Sequence, residues 1–232
     1  DFQENALRVA AAGAAYGEST SSTSYRQAFA VVPDSAPYRV PRLAPRPRTT
    51  GPQTAVVVGP AGEEIYTDRD GRIKVQFHWD RYGQRDEHSS CWIRVSQPWA
   101  GSGFGGVATP RIGQEVIVDF ENGDPDRPLI TGRVYNALNM PPWALPGNAS
   151  MSGLLSRSTP GGTPGAGLKN GVGDANALRF EDKKGQEQLW LHAQKDQLSE
   201  VEHDEDKWVG HDRRKTIDHD ETSHILNDRT ET

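Results

Sequence analysis

The stretch AQKDQLSE VEHDEDKW VGHDRRKT IDHDETSH ILNDRTET, residues 193–232, repeats with a period of eight residues and decides the fold. The fourth position of every octet is aspartate, at Asp196, Asp204, Asp212, Asp220 and Asp228. The first position of the last four octets is a β-branched apolar residue, at Val201, Val209, Ile217 and Ile225. One apolar residue in eight is too few for the buried stripe of an amphipathic helix.

A strand from a single chain does not explain the octets either, because His203, Glu205 and Lys207 would share the face of Val201. The pattern is explained if several chains meet at an axis, where each octet contributes one apolar contact. Three intertwined strands form the smallest closed prism in which every edge is paired. We therefore expect a homotrimer whose core contains Val201, Val209, Ile217 and Ile225.

Three histidines, His203, His211 and His219, occupy the third position of successive octets. In a trimer each would occur three times at one level, so three imidazoles turned to the axis could bind zinc or nickel. The alternative is a solvated face on which an aspartate lies beside each histidine. We favour that alternative and predict no metal and no other cofactor.

Upstream of the octets, residues 51–140 carry short strands at regular spacing, separated by turns that contain glycine. Ile73, Val75, Phe77 and Trp79 alternate with polar residues, which predicts a strand with one buried face. Further strands are predicted at 55–58, 91–99, 115–120 and 129–136. Five strands within about 85 residues favour a small closed barrel of the OB-fold type. The fold class is therefore mainly β, an OB-fold barrel followed by a triple-stranded β-helix or prism built by three chains.

The remaining segments complete the domain organisation. Residues 1–50 combine a hairpin predicted over 6–32, the end of a domain, with an Arg/Pro-rich connector. Residues 141–177 are rich in glycine and proline and are interpreted as a linker. Strand character resumes in LRFED and QLWLHA, so residues 178–232 are assigned to the start of the trimeric needle. The chain begins without methionine and stops inside a repeat, and we expect it to be a piece of a longer protein.

Composition and charge exclude several classes of protein. A single cysteine, Cys91, excludes an intrachain disulfide framework. Neither a signal peptide nor an apolar run long enough to span a bilayer is present in the sequence. Residues 176–232 carry 15 acidic and 9 basic side chains. This balance disfavours nucleic-acid binding there, because phosphate contacts require an excess of Lys and Arg.

No group of residues predicts catalysis, and we expect no enzyme. Residues 101–106 match GxGxxG, but no helix follows them. Asp68 and the pair Asp124 and Asp126 lie in sequences typical of turns. Cys91 alternates with Ile93 and Val95, which predicts a thiol buried in the barrel core.

Several long motifs carry a resemblance to a known family. These are GPQTAVVVGPAGEEIYTDRDGRIKVQFHWDRYG (51–83), SSCWIRVSQPWAG (89–101), PRIGQEVIVDFENGDPDRPLITGRVYN (110–136) and MPPWALP (140–146). They are similar to the VgrG spike proteins of the bacterial type VI secretion system, and so are FEDKKGQEQLWLHA, SYRQAFAVVP and the octets. The resemblance implies the end of a phage-hub-like domain, an OB-fold domain and a trimeric needle related to contractile phage tail spikes.

The resemblance also implies partners and a location. A spike of this family is expected to dock on an Hcp-like tube, to carry a PAAR-type tip and effectors, and to be fired through a target cell envelope. It would be cytoplasmic in the producing bacterium before firing and then secreted or delivered into the target cell. Most of the hub that would contact the tube is absent from this sequence, and neither an effector domain nor the lysozyme insertion of the phage relative is present. The alternative function is an OB-type module that binds single-stranded nucleic acid and has an acidic tail.

Overall fold

The computed structural model describes residues 42–163 and 173–229, together with positions 3–4, 25–26, 31, 33–35 and 37. Near the N-terminus β1 (Gln3–Glu4) pairs antiparallel with β2 (Tyr25–Arg26). Apart from those two residues of β2 and position 31, the hairpin predicted over 6–32 lies outside the described residues. The described chain is almost entirely strand and loop, with a single 3-10 turn at Glu121–Gly123.

Five strands form a closed barrel within residues 53–134. They are β3 (Gln53–Val58), β4 (Lys74–Phe77), β5 (Arg94–Val95), β6 (Glu115–Phe120) and β7 (Pro128–Val134). Their order in the sheet is β4, β3, β6, β7, β5, and β5 runs parallel to β7. The barrel closes where Ile73 and Ile93 exchange two backbone hydrogen bonds of 3.0 and 2.8 Å. This connectivity is that of an OB-fold, which confirms the predicted class of this region.

The barrel core contains β-branched residues from every strand or its flank. Alternate positions of each strand point inward, because successive side chains in a strand face opposite sides. The fully buried members are Ala55, Val57, Ile73, Val75, Ile93, Val116, Val118 and Ile130. The predicted alternation at Ile73 and Val75 is therefore confirmed.

Three details predicted for the barrel are wrong. Trp79 is 67% exposed, because β4 ends at Phe77 and the chain turns; the indole stacks on Phe77 and its Nε1 donates to Gln53 Oε1 at 2.8 Å. The strand predicted over 91–99 shrinks to Arg94–Val95 and the bridge at Ile93. Cys91 consequently precedes the paired backbone and is exposed, so the prediction of a core thiol is wrong.

A second antiparallel sheet follows the barrel and contains β8 (Met151–Leu155), β9 (Ala177–Glu181) and β10 (Gln188–His192), with β9 in the middle. Strands β9 and β10 confirm the strand character predicted for LRFED and QLWLHA. Strand β8 lies inside the segment interpreted as a linker. Its Gly153 has φ +144°, and a Cβ there would lie 2.1 Å from the carbonyl oxygen of Leu178. Only glycine permits this close approach. The glycine content that suggested a linker is therefore partly a requirement of strand β8.

The octets continue beyond β10. Residues 193–229 contain neither strand nor helix in the single chain, and almost all of their side chains are exposed. A segment that joins no strand ladder within its own chain is in the situation expected when the ladder partners are other chains.

Candidate assembly surface

One face of the second sheet is apolar and exposed. Cross-strand register places Leu154, Leu178 and Leu191 in one row, because residues opposite each other in neighbouring strands point to the same side. The next row contains Phe180 and Leu189. We call these five residues the leucine face. Leu154 is 73% exposed, Leu189 67% and Leu191 60%. A cluster of large apolar side chains in water marks an interaction surface.

The opposite face of the same sheet is already covered by the chain itself. The guanidinium of Arg179 lies 4.7 Å above the indole of Trp190, which also stacks on His192 at 5.4 Å. Ala175 and Ala177 are buried against Trp190. The sheet therefore has one face whose side chains pack against one another within the chain and one face whose large apolar side chains are exposed.

A carboxylate stabilises one end of the central strand of this sheet. Glu181 ends β9, and its Oε1 accepts hydrogen bonds from Ser150 Oγ at 2.5 Å and from the N–H of Lys183 at 2.9 Å. The Ser150 hydroxyl, followed by the Lys183 N–H, holds the pKa of Glu181 below its ordinary value. These bonds fix the end of the β8–β9 pair at which Met151 lies opposite Glu181.

The first positions of the octets form a regular series of half-exposed apolar residues in the single chain. Val201 is 53% exposed and Val209 50%, whereas Trp208 between them is 90% exposed. Ile217 and Ile225 have similar values of 42% and 48%. The series repeats every eight residues, as the sequence indicates, and each member retains apolar area that a neighbouring chain could cover. Its place in a trimer core stays a prediction.

The histidine at the third position of three successive octets lies beside the aspartate that follows it. Nδ1 of His203 is 2.7 Å from Asp204 Oδ2, and Nδ1 of His219 is 2.8 Å from Asp220 Oδ2. Nδ1 of His211 is 3.2 Å from Oδ1 of the aspartate that follows it. Within the part of the chain that the structure describes, no group of three or more His, Cys, Asp or Glu is arranged to hold a metal ion. An axial metal site, which would require three chains, stays a prediction.

The sequence motifs that resemble ligand-binding or catalytic sites are turns or loops in the structure. Asp68 Oδ1 accepts the N–H groups of Asp70 and Arg72 at 3.0 and 2.9 Å. Asp124 Oδ1 accepts the N–H of Asp126 at 3.1 Å. The GxGxxG segment 101–106 is a loop with no helix after it. Local side-chain acceptors of this kind stabilise turns rather than catalytic sites.

Sequence reasoning missed the leucine face, although a signal for it was present. In LRFED and QLWLHA, leucine or phenylalanine alternates with polar residues or tryptophan, which is the period of a strand with one apolar face. The sequence prediction of a trimer core relied on the octet period, so it included only the β-branched residues at the first octet positions.

Comparison with known proteins places these features in a family. Residues 53–135 match the model of the type VI secretion system/phage-baseplate injector OB domain. Residues 152–232, from β8 through the last octet, match the bacteriophage T4 gp5 C-terminal trimerisation domain. The chain is 62% identical over 172 residues to the type VI secretion system spike protein VgrG1b of Pseudomonas aeruginosa. This chain belongs to the VgrG spike protein family. The predicted fold class and the family resemblance are both confirmed.

Other VgrG relatives extend the similarity but carry different names. VgrG1a of Pseudomonas aeruginosa, a type VI secretion system spike protein, is 53% identical over 81% of this chain. The actin cross-linking toxin VgrG1 of Vibrio cholerae is 47% identical over 80% of it. The alignments cover 22%, 28% and 16% of VgrG1b, VgrG1a and the toxin, so this chain spans less than a third of each relative. None of the helices in the described residues combines the length and apolar character needed to cross a bilayer.

Proposed function

We propose that this chain is the barrel and the proximal needle of a homotrimeric puncturing spike in a type VI secretion machine. The observation that carries the proposal is the leucine face, which is exposed in one chain and lies entirely within the region that matches a trimerisation domain. Burying it against two further copies would remove its apolar side chains from water. The β-branched residues Val201, Val209, Ile217 and Ile225 would continue that buried seam along the axis.

The role of such an assembly is mechanical. Three chains that exchange backbone hydrogen bonds leave no unpaired edge, and a closed prism resists bending and unravelling. The work of penetration would come from contraction elsewhere in the machine. In this proposal the segment performs no catalysis; it transmits force and carries cargo.

The partners follow from the same proposal. The remainder of the protein would dock on an Hcp-like tube, and the distal end of the needle would carry a PAAR-type tip and effectors into the target cell. The protein would be cytoplasmic before firing and secreted or inside the target cell afterwards. The name of the Vibrio cholerae relative, an actin cross-linking toxin, supports effector delivery.

The alternative, a barrel that binds single-stranded nucleic acid, receives no support. Such sites combine exposed aromatic residues with a basic groove. Trp79 and Trp99 are exposed, but Trp79 is hydrogen-bonded to Gln53 and Trp99 packs edge-on against Phe104 at 5.9 Å. Neither lies in a run of Lys and Arg.

The test is the solution mass of the 232-residue chain, measured by sedimentation over a range of concentrations in moderate salt. A particle of three times 25.5 kDa is expected. A chain that stays monomeric at every concentration would contradict assembly through this segment. Salt-sensitive binding of a fluorescent single-stranded oligonucleotide by such a monomer would favour the alternative.

A further inference from the structure

A single carboxylate, Glu64, lies where the barrel meets the second sheet. It follows β3 in the barrel, and its side chain is only 21% exposed. Its Oε2 accepts a hydrogen bond of 2.5 Å from Thr159 Oγ1. Its Oε1 accepts from the N–H of Gly161 at 2.8 Å and from Arg157 Nη2 at 3.0 Å. All three donors come from the segment that leaves β8, more than ninety residues away in sequence.

The barrel braces this contact from its own side. The N–H of Ile112, which packs against the core, donates to the carbonyl of Glu64 at 3.0 Å. Arg111 Nη1 lies 3.6 Å from Glu64 Oε2, and Arg111 Nη2 donates to the carbonyl of Arg157 at 2.7 Å. The barrel therefore fixes the backbone of Glu64, and Arg111 contacts both its carboxylate and the segment that the carboxylate binds.

The segment that Glu64 binds is continuous with the second sheet. The N–H of Ser156 donates to the carbonyl of Asn176 at 2.9 Å, and the N–H of Ser158 donates to that of Asp174 at 2.8 Å. These bonds extend the β8–β9 ladder beyond its last paired residues. Fixing residues 157–161 on the barrel therefore also fixes the end of the sheet that carries the leucine face.

We propose that Glu64 is a positioning residue that docks the second sheet on the barrel and so presets the leucine face for assembly. The hydrogen bonds from Thr159, Gly161 and Arg157 converge on one anionic group, and bonds to a charged acceptor are the strong ones. Holding a binding surface in its final orientation lowers the ordering cost of association. The effect on assembly rests on the proposed trimer, whereas the docking itself is a property of the single chain.

The experiment compares two variants that each remove one negative charge from neighbouring residues, Glu64→Gln and Glu63→Gln. Glu63 is the matched control because its side chain is exposed. Hydrogen exchange of the full chain should show amides of residues 156–163 exchanging about tenfold faster in Glu64→Gln, since a charged acceptor is lost there. The barrel strands should keep their protection. Sedimentation should show Glu64→Gln dissociating at a higher concentration than the parent, with Glu63→Gln unchanged.

A second pair of variants tests the same docking from the other partner. Thr159→Val removes the hydroxyl at almost constant shape and should loosen residues 156–163, whereas Thr159→Ser keeps the donor and should restore parental exchange. Unchanged exchange in both Glu64→Gln and Thr159→Val would overturn the docking. Faster exchange with unchanged assembly would overturn the presetting of the leucine face. A monomeric parent would contradict the proposed function, while the exchange comparison would still decide the docking.

Discussion

Replacing Leu191 with aspartate separates the stability of the single chain from that of the assembly. Burying a leucine side chain completely is worth about 1.5–3 kcal/mol, and Leu191 is 60% exposed, so its closure contributes about 1–2 kcal/mol per chain. Three copies lose about 3–5 kcal/mol per trimer on the same basis. Three carboxylates brought into the seam add a desolvation cost in the same direction. Within one chain Leu191 already faces water, so the substitution should change the free energy of unfolding of the single chain only slightly.

The assay is sedimentation equilibrium over a concentration series. A tenfold change in an equilibrium constant corresponds to about 1.4 kcal/mol, and the half-dissociation concentration of a trimer varies as the square root of its constant. The concentration at half dissociation should therefore rise by about one to two orders of magnitude. The control is Leu138→Asp, which makes the same change at a 93% exposed leucine in the loop after β7 and should leave the midpoint unchanged.

The leucine-face argument is refuted if Leu191→Asp and Leu138→Asp dissociate at the same concentration as the parent. Aspartate is also a poor strand residue, so Leu191→Thr, which keeps β-propensity, separates loss of apolar contact from loss of the strand. The threonine variant should still weaken the trimer. Hydrogen exchange in β9 and β10 should confirm that the sheet persists.

Three further outcomes are expected. Ile93→Ala, at a buried position where the barrel closes, should lower the free energy of unfolding by about 2–5 kcal/mol in urea titrations monitored by tryptophan fluorescence; a loss below about 1 kcal/mol would contradict the closure. Gly153→Ala places a methyl group against the Leu178 carbonyl and should unpair β8 from β9 in hydrogen-exchange measurements, while Gly51→Ala, which meets open space, should have no effect. The melting temperature should fall as the pH drops below about 4, because several carboxyl groups have a folded-state pKa below their ordinary value and their stabilising contribution is lost as they protonate. The carboxyl groups concerned are Asp68, Glu64, Glu115 and Glu181. A melting temperature that stays constant between pH 6 and pH 3 would contradict their stabilising role.

In each of these carboxyl groups, hydrogen bonds donated to the carboxylate lower the pKa. Glu115 accepts a hydrogen bond of 2.7 Å from Asn136 Nδ2, which is the main reason that its pKa falls. The Thr159 hydroxyl has the same effect on the pKa of Glu64. In both, protonation removes an acceptor for donors on a distant segment, so acid should loosen tertiary contacts before it unfolds the barrel core.

The OB barrel was predictable from sequence because its signals are local. Alternation at Ile73 and Val75 predicts an inward face, and the glycine-containing turns separate the strands. Strand ends were less predictable. Trp79 and Cys91 continue an apolar alternation in sequence, but the chain turns after Phe77 and pairs only from Ile93 onward, so both residues are outside the core.

The octet period alone determined that residues 193–232 require other chains, because one β-branched residue in eight cannot close a core within a single chain. Tertiary structure decided what the period does not encode: that β8 joins the sheet through Gly153, that five apolar side chains share one face, and that Glu64 ties this sheet to the barrel. Pairing register and contacts across more than ninety residues depend on where distant segments meet. A periodic sequence specifies its local repeat, but only the folded chain specifies which face remains open.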